Sequence, residues 1–235
     1  MSEPPVVLIT GTSRGIGNHL ARHFLDGGSR VVGCSRGDFP DLEHERYAHR
    51  VVDVRSEPDV VELFGFIRTT YGRLDVAINN AALNPTLSLV ALTPATAATD
   101  TLAANVLGPF LVCREAVKLM ARRKFGRIVN LGSMATRHEV QGEALYTASK
   151  AALNAFTRVL AKEVAAQGIT CNVVAPSAVE TELSAAVDRD ALREVLARNA
   201  IPELGSEADV AAAIDWLIKP ESSAVTGQIV YLGGA

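Results

Sequence analysis

A tyrosine and a lysine stand four residues apart in the segment ALYTASKAAL, at Tyr146 and Lys150. On a helix this spacing puts both side chains on the same face. A phenol beside an ammonium group is a candidate proton donor, because the positive charge lowers the pKa of the phenol. The same spacing also occurs on ordinary surface helices, so the pair alone leaves a structural role open.

Two further polar residues are candidates for the same chemistry. Ser133 follows an apolar run, and its hydroxyl could donate a hydrogen bond to a carbonyl oxygen or simply cap a helix or turn. Asn105 lies inside a helical stretch, where it either makes a polar bond or faces solvent. Reduction of a ketone needs a proton donor and groups that bind the developing oxyanion, so these residue types together are suited to carbonyl chemistry.

A glycine-rich segment near the start of the chain, VVLITGTSRGIGNHLARHF, runs from a predicted strand into a predicted helix. Gly11, Gly15 and Gly17 allow the backbone to turn sharply and to approach a ligand closely. The helix that follows offers free N–H groups and its positive dipole end to a phosphate. Three glycines alone are also compatible with a plain strand–helix turn, but their place after the first strand favours a nucleotide site.

Short, β-branched apolar runs alternate along the chain with segments of helical periodicity. Runs of this kind are expected for strands that are buried on both faces of a parallel sheet. The predicted strands are Pro5–Thr10, Arg30–Cys34, His49–Val52, Leu74–Ile78, Gly126–Leu131, Ile169–Ala175 and Gln228–Leu232. The predicted helices lie near 15–27, 56–71, 99–123, 146–167 and 206–219.

This alternation predicts an α/β fold of the Rossmann type, with a doubly wound, seven-stranded parallel sheet and helices on both faces. The sequence has no linker, low-complexity tract or internal repeat, so we predict a single domain over residues 1–235. The short polar segment between the second and third strands is not expected to form a crossover helix. The segment 177–205 is too irregular for a core element and is predicted to be a mobile flap.

Composition excludes several classes of function. With 23 basic and 26 acidic residues among 235, the chain has a net charge of −3. It therefore lacks the positive electrostatic field that would attract nucleic acid. The basic cluster Arg122, Arg123, Lys124 and Arg127 is interpreted as a solvated helix end. No apolar run approaches the roughly 18 residues that a membrane span needs, and the first residues do not resemble a secretory signal.

The three cysteines, Cys34, Cys113 and Cys171, are odd in number, far apart and embedded in apolar runs. We interpret them as buried free thiols of a cytoplasmic protein. No metal site is predicted.

The glycine spacing in TGTSRGIG resembles that of the short-chain dehydrogenase/reductases. Further marks of this family follow in order: NNAA at 79–82, AANVLGPF with Asn105, NLGSMA with Ser133, the pair Tyr146 and Lys150, PSAVET at 176–181, and a final GG. The resemblance covers essentially the whole chain. It is strongest to the 3-oxoacyl-(acyl-carrier-protein) reductases, because FGRIVNLGS and GITCNVVAP are similar to segments of those enzymes.

The resemblance implies catalytic roles for four residues. Tyr146 would donate the proton, and Ser133 would hold the carbonyl oxygen. Lys150 would lower the pKa of Tyr146 and bind the nicotinamide ribose. Asn105 would kink its helix and hold a water that relays protons to the lysine.

The end of the second strand bears on the choice of dinucleotide. NAD-binding folds usually place a carboxylate there to bind the ribose 2′-hydroxyl, whereas this chain has Cys34, Ser35 and Arg36. A second guanidinium, that of Arg14, lies in the glycine loop. Two guanidinium groups and a hydroxyl suit the dianionic 2′-phosphate, so we predict NADP(H) as the cofactor. The alternative is that Arg36 is solvated and Asp38 contacts the ribose.

Two interpretations apply to Asp53. It could cap the helix that begins near Ser56, or, as the resemblance implies, it could contact the adenine together with Val54. We favour the second interpretation, because the strand ends at this edge of the sheet converge on the ligand crevice.

The remaining cofactor contacts are implied by the resemblance. Asn80 and Ala81 would lie along the ribose, and Thr181 would bind the nicotinamide carboxamide. The chain departs from the family pattern at Ala82 and Ser177, where glycine is usual. The implied cofactor set is completed by Gly11, Ser13, Gly15, Ile16, Gly17, Pro176 and Val179.

The substrate pocket is expected between the loops 83–92, 134–145 and 177–198. These loops would supply a mixed lining that suits a medium-sized carbonyl compound better than a sugar phosphate. The predicted lining side chains are Leu83, Asn84, Leu87, Met134, His138, Val140, Leu145 and Leu183, with His138 interpreted as a solvated loop residue.

The sequence therefore predicts an NADP-dependent short-chain oxidoreductase that reduces a keto compound, which could be a 3-oxoacyl thioester. Arg122, Arg123 and Arg127 could dock an acidic carrier protein, but Gln167 stands where that subfamily tends to have a basic residue, so free and carrier-bound substrates both stay open. Two alternatives are a dehydrogenase that works in the oxidative direction and a catalytically silent NADP-binding regulator or scaffold. The apolar helices near 99–123 and 146–167, which pair in family members, imply a homotetramer.

Overall fold

The computed structural model of the protein describes residues 3–39, 41–85, 87–179 and 195–234. Seven strands are present in this part of the chain. They are β1 (Val6–Thr10), β2 (Arg30–Ser35), β3 (Tyr47–Val51), β4 (Val76–Asn79), β5 (Gly126–Leu131), β6 (Ile169–Ala175) and β7 (Ile229–Tyr231). All pairs are parallel, and the strand order is β3-β2-β1-β4-β5-β6-β7.

The helices lie between the strands. They are α1 (Gly15–Asp26), α2 (Glu57–Tyr71), α3 (Ala95–Leu102), α4 (Gly108–Met120), α5 (Ala135–His138), α6 (Ala144–Val164) and α7 (Glu207–Ile218). A π-helical turn, Ala103–Leu107, separates α3 from α4. Single 3₁₀ turns occupy Val90–Leu92, Ala121–Arg123, Ala165–Gln167 and Pro220–Ser222.

The sheet separates two hydrophobic cores. Consecutive residues of a strand point to opposite faces, so Leu8 contributes to the core under α2, α4 and α6, whereas Ile9 contributes to the core under α1 and α7. Every residue of β1, β5 and β6 is buried, as expected when helices cover both faces of a parallel sheet. The predicted Rossmann-type fold is confirmed.

Local signals start and stop the helices. The Ser56 hydroxyl accepts the N–H of Asp59 and caps α2, which ends at Gly72 in the left-handed conformation with φ of +66°. A reciprocal capping box between Ser206 and Asp209 starts α7. Among the described residues of the segment between β2 and β3 there is no helix, as was predicted for this short polar segment.

Strand boundaries differ most from the prediction at the edge of the sheet. The third strand covers Tyr47–Val51 rather than 49–52, and its residues are half-buried or exposed. An edge strand has a neighbour on one side only, so its apolar pattern is weaker and its ends are harder to recognise. The fourth strand covers Val76–Asn79 rather than 74–78.

The single helix predicted over 99–123 is divided into α3, the π-helical turn and α4. Pro109 has no N–H to donate to the carbonyl of Asn105, four residues earlier, so the regular α-helical bonding is interrupted at this point. The bend predicted at Asn105 therefore takes the form of a π-helical turn, a feature that is common at functional sites.

The prediction that Arg127 belongs to a solvated cluster is wrong. Its side chain is 3% exposed, its guanidinium lies 4.5 Å from the centre of the Phe125 ring, and it donates to the carbonyl of Gly126. Burial lowers the pKa of Arg127. Arg127 is the second residue of the fully buried central strand β5, so its side chain is covered by the elements that pack on the sheet. Arg122, Arg123 and Lys124 are exposed as predicted.

The three cysteines are free and buried, as predicted. Burial raises the pKa of Cys34 and of Cys113 to about 12, so both thiols stay protonated at neutral pH. Within the predicted flap, Leu196 and Asn199 are 7% exposed and pack into the structure. The start of the flap through Val179 is described, whereas residues 180–194 lie outside the described part of the chain.

Candidate active site

The glycine loop between β1 and α1 is shaped by close backbone approach. Gly11 and Gly15 have φ of +74° and +53°, in the region that side chains rarely adopt. A Cβ added at Gly17 would collide with the carbonyl oxygen of Gly11. Close packing of the loop against α1 and Asn80 therefore requires glycine at Gly11 and Gly17. We call the outer surface of this loop, together with the start of α1, the cradle.

The loop after β4 holds the glycine loop in place. The side-chain amide of Asn80 donates to the carbonyls of Thr10 and Gly11, at 2.9 and 3.1 Å. In return, the Thr10 hydroxyl accepts the backbone N–H groups of Asn80 and Ala81, at 3.1 and 3.0 Å. These four bonds join two loops at the carboxyl ends of adjacent strands, where ligands bind in open α/β sheets.

The start of α1 faces the same cradle. Arg14 occupies the N-cap position in an extended conformation, and its side chain makes no capping hydrogen bond in the described structure. The first N–H groups of α1 are thus not satisfied by a side-chain cap, which suits an anionic group. Ser13 and Arg14 are exposed beside the cradle, whereas Ile16 is half-buried and packs against the core.

The predicted 2′-phosphate residues lie at the end of β2. Arg36 and Asp38 are both exposed, and the hydroxyl of Ser35 donates to the carbonyl of Gly37 at 2.8 Å. Both side chains are therefore accessible to a ribose 2′-hydroxyl or 2′-phosphate.

The interpretation of Asp53 as a helix cap is wrong, because Ser56 caps α2. The carboxylate of Asp53 instead forms an ion pair with Arg55, whose guanidinium lies 2.7 Å away. Hydrogen bonds from Arg55 keep the pKa of Asp53 below its ordinary value despite partial burial, and the charge of Arg36 contributes in the same direction. Val54 packs against Gly108 at the start of α4.

The residues predicted to be catalytic meet at the end of β5 and on α6. Ser133 lies two residues beyond β5, and its hydroxyl oxygen accepts the N–H of Ala135 at 3.1 Å, which leaves its hydrogen available to another acceptor. The Tyr146 hydroxyl lies close enough to Ser133 for a side-chain interaction that lowers the pKa of the phenol. The Lys150 amine donates to the carbonyl of Leu131 at 2.7 Å and lies 5.6 Å from the centre of the Tyr146 ring.

Burial governs the ionisation of this group. Burial raises the pKa of Tyr146, its side-chain interaction with Ser133 lowers it, and the charge of Glu143 raises it. Burial lowers the pKa of Lys150 to about 8. The expected lowering of the pKa of Tyr146 by Lys150 is not observed, because desolvation of the phenol dominates and the amine is directed to the carbonyl of Leu131.

Asn105 is buried and connects three parts of the site. Its side-chain oxygen accepts the N–H of Leu83 at 2.7 Å, and its amide donates to the carbonyl of Leu83 at 2.8 Å. The same amide donates to the hydroxyl of Ser149 at 3.0 Å, and that hydroxyl bonds to the carbonyl of Tyr146. Asn105 thus fixes the loop after β4 to the start of α6.

A cavity of about 260 Å³ adjoins Tyr146. Its lining is mostly apolar and small, and Glu143 contributes a half-buried carboxyl whose pKa burial raises. The lining residues are Pro85, Ser88, Val90, Thr93, Pro94, Ala95, Ala97, Ala98, Gly142, Glu143, Ala144, Leu145 and Tyr146.

Two of the three predicted loops, 83–92 and 134–145, contribute residues to the lining, but few of the predicted side chains do. Leu145 lines the cavity, whereas Met134 is buried. His138 is bound to Asn199 at 2.8 Å rather than solvated.

The loop after β6 completes this edge of the sheet as far as it is described. The buried carbonyl of Pro176 accepts the N–H of Met134 at 2.9 Å, which ties the loop to the residue after Ser133. Val179 is 9% exposed. Thr181, predicted to bind the carboxamide, and Leu183, predicted to line the pocket, lie outside the described residues.

Comparison with known proteins places this geometry in a family. The family model described as "Enoyl-(Acyl carrier protein) reductase" matches residues 11–234. A Bos taurus 3-oxoacyl-[acyl-carrier-protein] reductase is 36% identical, with 97% of this chain and 96% of the relative covered. The Escherichia coli (strain K12) enzyme FabG, of the same name, is 30% identical, with 99% and 97% covered. The chain belongs to the short-chain dehydrogenase/reductase family.

Solved structures agree with this assignment. A structure described as ElxO with NADP bound has a TM-score of 0.90 and 29% identity, with 98% of this chain and 97% of that chain covered. A tyrosine-to-phenylalanine variant of ElxO with NADPH bound has the same TM-score and identity. The predicted family and oxidoreductase class are confirmed. Within the described residues, none of the helices combines the length and apolar character that a membrane crossing requires.

Sequence reasoning missed the residues that hold this short-chain dehydrogenase/reductase site together. Thr10, Thr12 and Ser149 make hydrogen bonds that position the loops, but isolated threonine and serine residues give no signal in a sequence. Tyr47 and His49 could have been found, because alternate residues of a strand share a face and this strand lies next to the predicted 2′-phosphate site.

Proposed function

We propose that the protein is an NADPH-dependent reductase that converts a medium-sized keto compound into a secondary alcohol. The observation that carries this proposal is the convergence of Ser133, Tyr146 and Lys150 beside an apolar cavity, at the same edge of the sheet as the glycine loop. A phenol, a hydroxyl and an amine in this arrangement can supply a proton and bind an oxyanion.

The cradle around Gly11 and Gly17 and the uncapped start of α1 fit the pyrophosphate of a dinucleotide. The exposed Arg14 and Arg36 would bind the 2′-phosphate, which favours NADP(H) over NAD(H). NADP and NADPH are also the molecules named with the two ElxO structures. Asp53, Val54, Asn80 and the other predicted cofactor residues at this edge, including Ser35 and Thr181, would hold the remainder of the cofactor.

When bound, NADPH supplies a hydride to the carbonyl carbon. The hydroxyl of Ser133 would donate to the carbonyl oxygen, and Tyr146 would give that oxygen a proton, so that a ketone gains one hydride and one proton. Lys150 would bind the nicotinamide ribose, and a lowering of the pKa of Tyr146 by its positive charge when the cofactor is bound stays a prediction. Asn105 would keep α6 and the loop after β4 in register, and its part in a water relay to Lys150 stays a prediction.

The lining of the cavity supports an uncharged substrate of medium size. Small apolar residues such as Ala97 and Ala98 leave room for an aliphatic chain, and the half-buried carboxyl of Glu143 disfavours an anionic group next to Tyr146. The names of the Bos taurus and Escherichia coli relatives support a 3-oxoacyl thioester. If such a substrate arrives on an acidic carrier protein, the exposed Arg122 and Arg123 remain available as contacts, whereas Arg127 is buried.

Oxidation of NADPH, followed by absorbance with a panel of ketones, tests the proposed function. The panel contains 3-oxoacyl thioesters with and without a carrier protein, 3-keto esters and free keto acids, and the parent is compared with Tyr146→Phe and with NADH as the donor. We expect turnover of at least one uncharged keto compound with NADPH, and its loss in the variant. Binding of NADPH with no turnover in either direction would instead support the regulator or scaffold, and a preference for NADH would refute the roles of Arg14 and Arg36.

We also propose a cytoplasmic homotetramer that consists of one domain per chain. The apolar side chains of Leu102, Leu107, Phe110 and Val159 are each at least 43% exposed, which suits helices that pack against another copy. The three buried free thiols suit a reducing compartment. A monomeric mass in solution would contradict the tetramer.

A further inference from the structure

A chain of hydrogen bonds lies beside the predicted 2′-phosphate residues and has no place in the proposed chemistry. The Thr12 hydroxyl lies 3.1 Å from the Tyr47 hydroxyl, which lies 3.1 Å from Nδ1 of His49. On the other side of the ring, Nε2 of His49 lies 3.0 Å from the carbonyl oxygen of Gly37 and 3.1 Å from the hydroxyl of Ser35. The bonds connect the glycine loop to the loop that follows β2.

The strands provide the space that these bonds need. Tyr47 and His49 are alternate residues of β3, so both side chains lie on one face of the sheet. Gly33 is the partner of His49 on β2, and a Cβ at Gly33 would collide with the Tyr47 hydroxyl. The absence of a side chain at Gly33 therefore lets Tyr47 reach across β2 to the buried Thr12.

The hydrogen-bond partners determine which ring nitrogen of His49 carries the hydrogen. A carbonyl oxygen only accepts, so Nε2 must carry the hydrogen and donate it to Gly37. The hydroxyl of Ser35 donates to the same carbonyl and accepts from Nε2. In the neutral ring, Nδ1 then accepts from Tyr47, whose oxygen accepts from Thr12.

Arg36 stands between the two residues that His49 holds. The guanidinium of Arg36 is exposed. The direction in which this side chain projects from the surface therefore depends on the backbone from Ser35 to Gly37. We infer that His49 is a positioning residue for NADP(H): its bonds to Ser35 and Gly37 hold the loop so that Arg36 meets the 2′-phosphate. This inference rests on the proposed use of NADP(H), but not on the proposed reduction.

Calorimetric titration of the whole protein with NADP⁺ and with NAD⁺ tests the inference without any turnover. We expect His49→Leu to raise the Kd for NADP⁺ about tenfold and to change the Kd for NAD⁺ by less than about twofold, because NAD⁺ has no phosphate for Arg36. His44→Gln, which changes an exposed histidine of the preceding loop, is the matched control and should change neither.

Two conservative variants separate positioning from general stability. Gln at this site can place its amide near the position of Nε2 and keep the bond to Gly37, whereas Asn can reach only toward Tyr47. We therefore expect His49→Gln to restore most of the affinity for NADP⁺ and His49→Asn not to restore it. In an Arg36→Ala background, His49→Leu should have no further effect on the Kd for NADP⁺.

The inference is overturned if His49→Leu weakens both dinucleotides equally, if Asn restores NADP⁺ affinity as well as Gln, or if His49→Leu still acts when Arg36 is absent. If His49→Leu does not fold, the comparison of Gln with Asn decides alone. Equal affinity of the parent for NADP⁺ and NAD⁺ would refute the proposed cofactor and this inference with it. Failure to reduce any ketone would refute the proposed reaction and leave the binding result intact.

Discussion

The two ends of the site differ in how their polar groups are held. At the glycine loop, Asn80 and Thr10 exchange four hydrogen bonds with the neighbouring backbone. Beside the cavity, burial shifts the pKa values of Tyr146 and Lys150 in the directions that disfavour their charged forms. The glycine loop is thus held by hydrogen bonds between neutral groups, whereas the chemical end contains two ionisable groups in an environment of low polarity.

This difference teaches that the two ends tolerate change in different ways. The shape of the glycine loop comes from bonds within the chain, so it is preorganised for a ligand and sensitive to added volume. The chemical end depends on which atoms carry charge, so it is sensitive to single functional groups and to pH. Four sets of variants can break or sharpen this comparison.

The largest effect is expected from Tyr146→Phe, which removes one oxygen atom at the chemical end. Loss of the proton donor should lower kcat for ketone reduction about a thousandfold. The Kd for NADP⁺ should change by less than about twofold, because the phosphate end is untouched. Tyr71→Phe, at the end of α2, is the control and should retain the parental kcat. A Tyr146→Phe variant that kept more than about a tenth of kcat would contradict the assigned role.

Gly17→Ala should break the phosphate end. The added Cβ would collide with the carbonyl oxygen of Gly11, so we expect the Kd for NADP⁺, measured by calorimetry, to rise about a hundredfold. Gly65→Ala is the matched control, because Gly65 also lies in a helix and a Cβ there meets nothing within 4 Å. That variant should bind NADP⁺ with the parental Kd. Its free energy of unfolding should be about 0.5–1 kcal/mol higher than that of the parent. Equal binding by both variants would refute the steric explanation.

Lys150 should make stability depend on pH. Its folded pKa of about 8 lies below the ordinary 10.5, so between these values the unfolded chain binds more protons and the free energy of unfolding rises with pH. The rise in the free energy of unfolding that comes from Lys150 is about 3 kcal/mol at most. Urea unfolding of the parent and of Lys150→Met at several pH values measures this dependence. Above pH 8, the free energy of unfolding of the parent should rise relative to that of the variant. A difference that stays constant with pH would contradict the assignment.

The smallest effects are expected from two asparagines that tie loops together, one at each end. Asn80→Ala should raise the Kd for NADP⁺ about tenfold with little change in kcat, because the bonds to Thr10 and Gly11 are lost. Asn105→Ala should lower kcat about tenfold with little change in that Kd, because α6 loses its link to Leu83. Steady-state kinetics and calorimetry on both variants measure the two quantities. The same loss in both variants would show that the two ends are not independent.

Much of the fold could be predicted because its central strands carry a strong signal. All residues of β1, β5 and β6 are buried on both faces, and this requires the continuous apolar runs by which they were recognised. The half-buried β3 carries no such requirement, so its ends were misplaced. The residue pattern predicted one helix over 99–123, and the interruption at Asn105 that separates α3 from α4 was implied by the family resemblance alone.

The sequence by itself determined which chemical groups the protein has and, through the order of its strands, that they gather at one edge of a parallel sheet. The glycine spacing and the pair Tyr146 and Lys150 were recognisable because local geometry governs them: a tight turn needs residues without side chains, and one helical turn separates residues four apart.

Only the tertiary structure decided which of these groups are free and which are bound. Arg127 was predicted to be solvated but is buried. His49 bonds directly to Ser35, Gly37 and Tyr47, and Tyr47 in turn bonds to Thr12, so that three separate segments of the chain are joined. Burial and long-range hydrogen bonds depend on contacts between distant parts of the chain. For the same physical reason, the direction of the pKa shift of Tyr146 was settled by desolvation in the folded protein rather than by its neighbour on the helix.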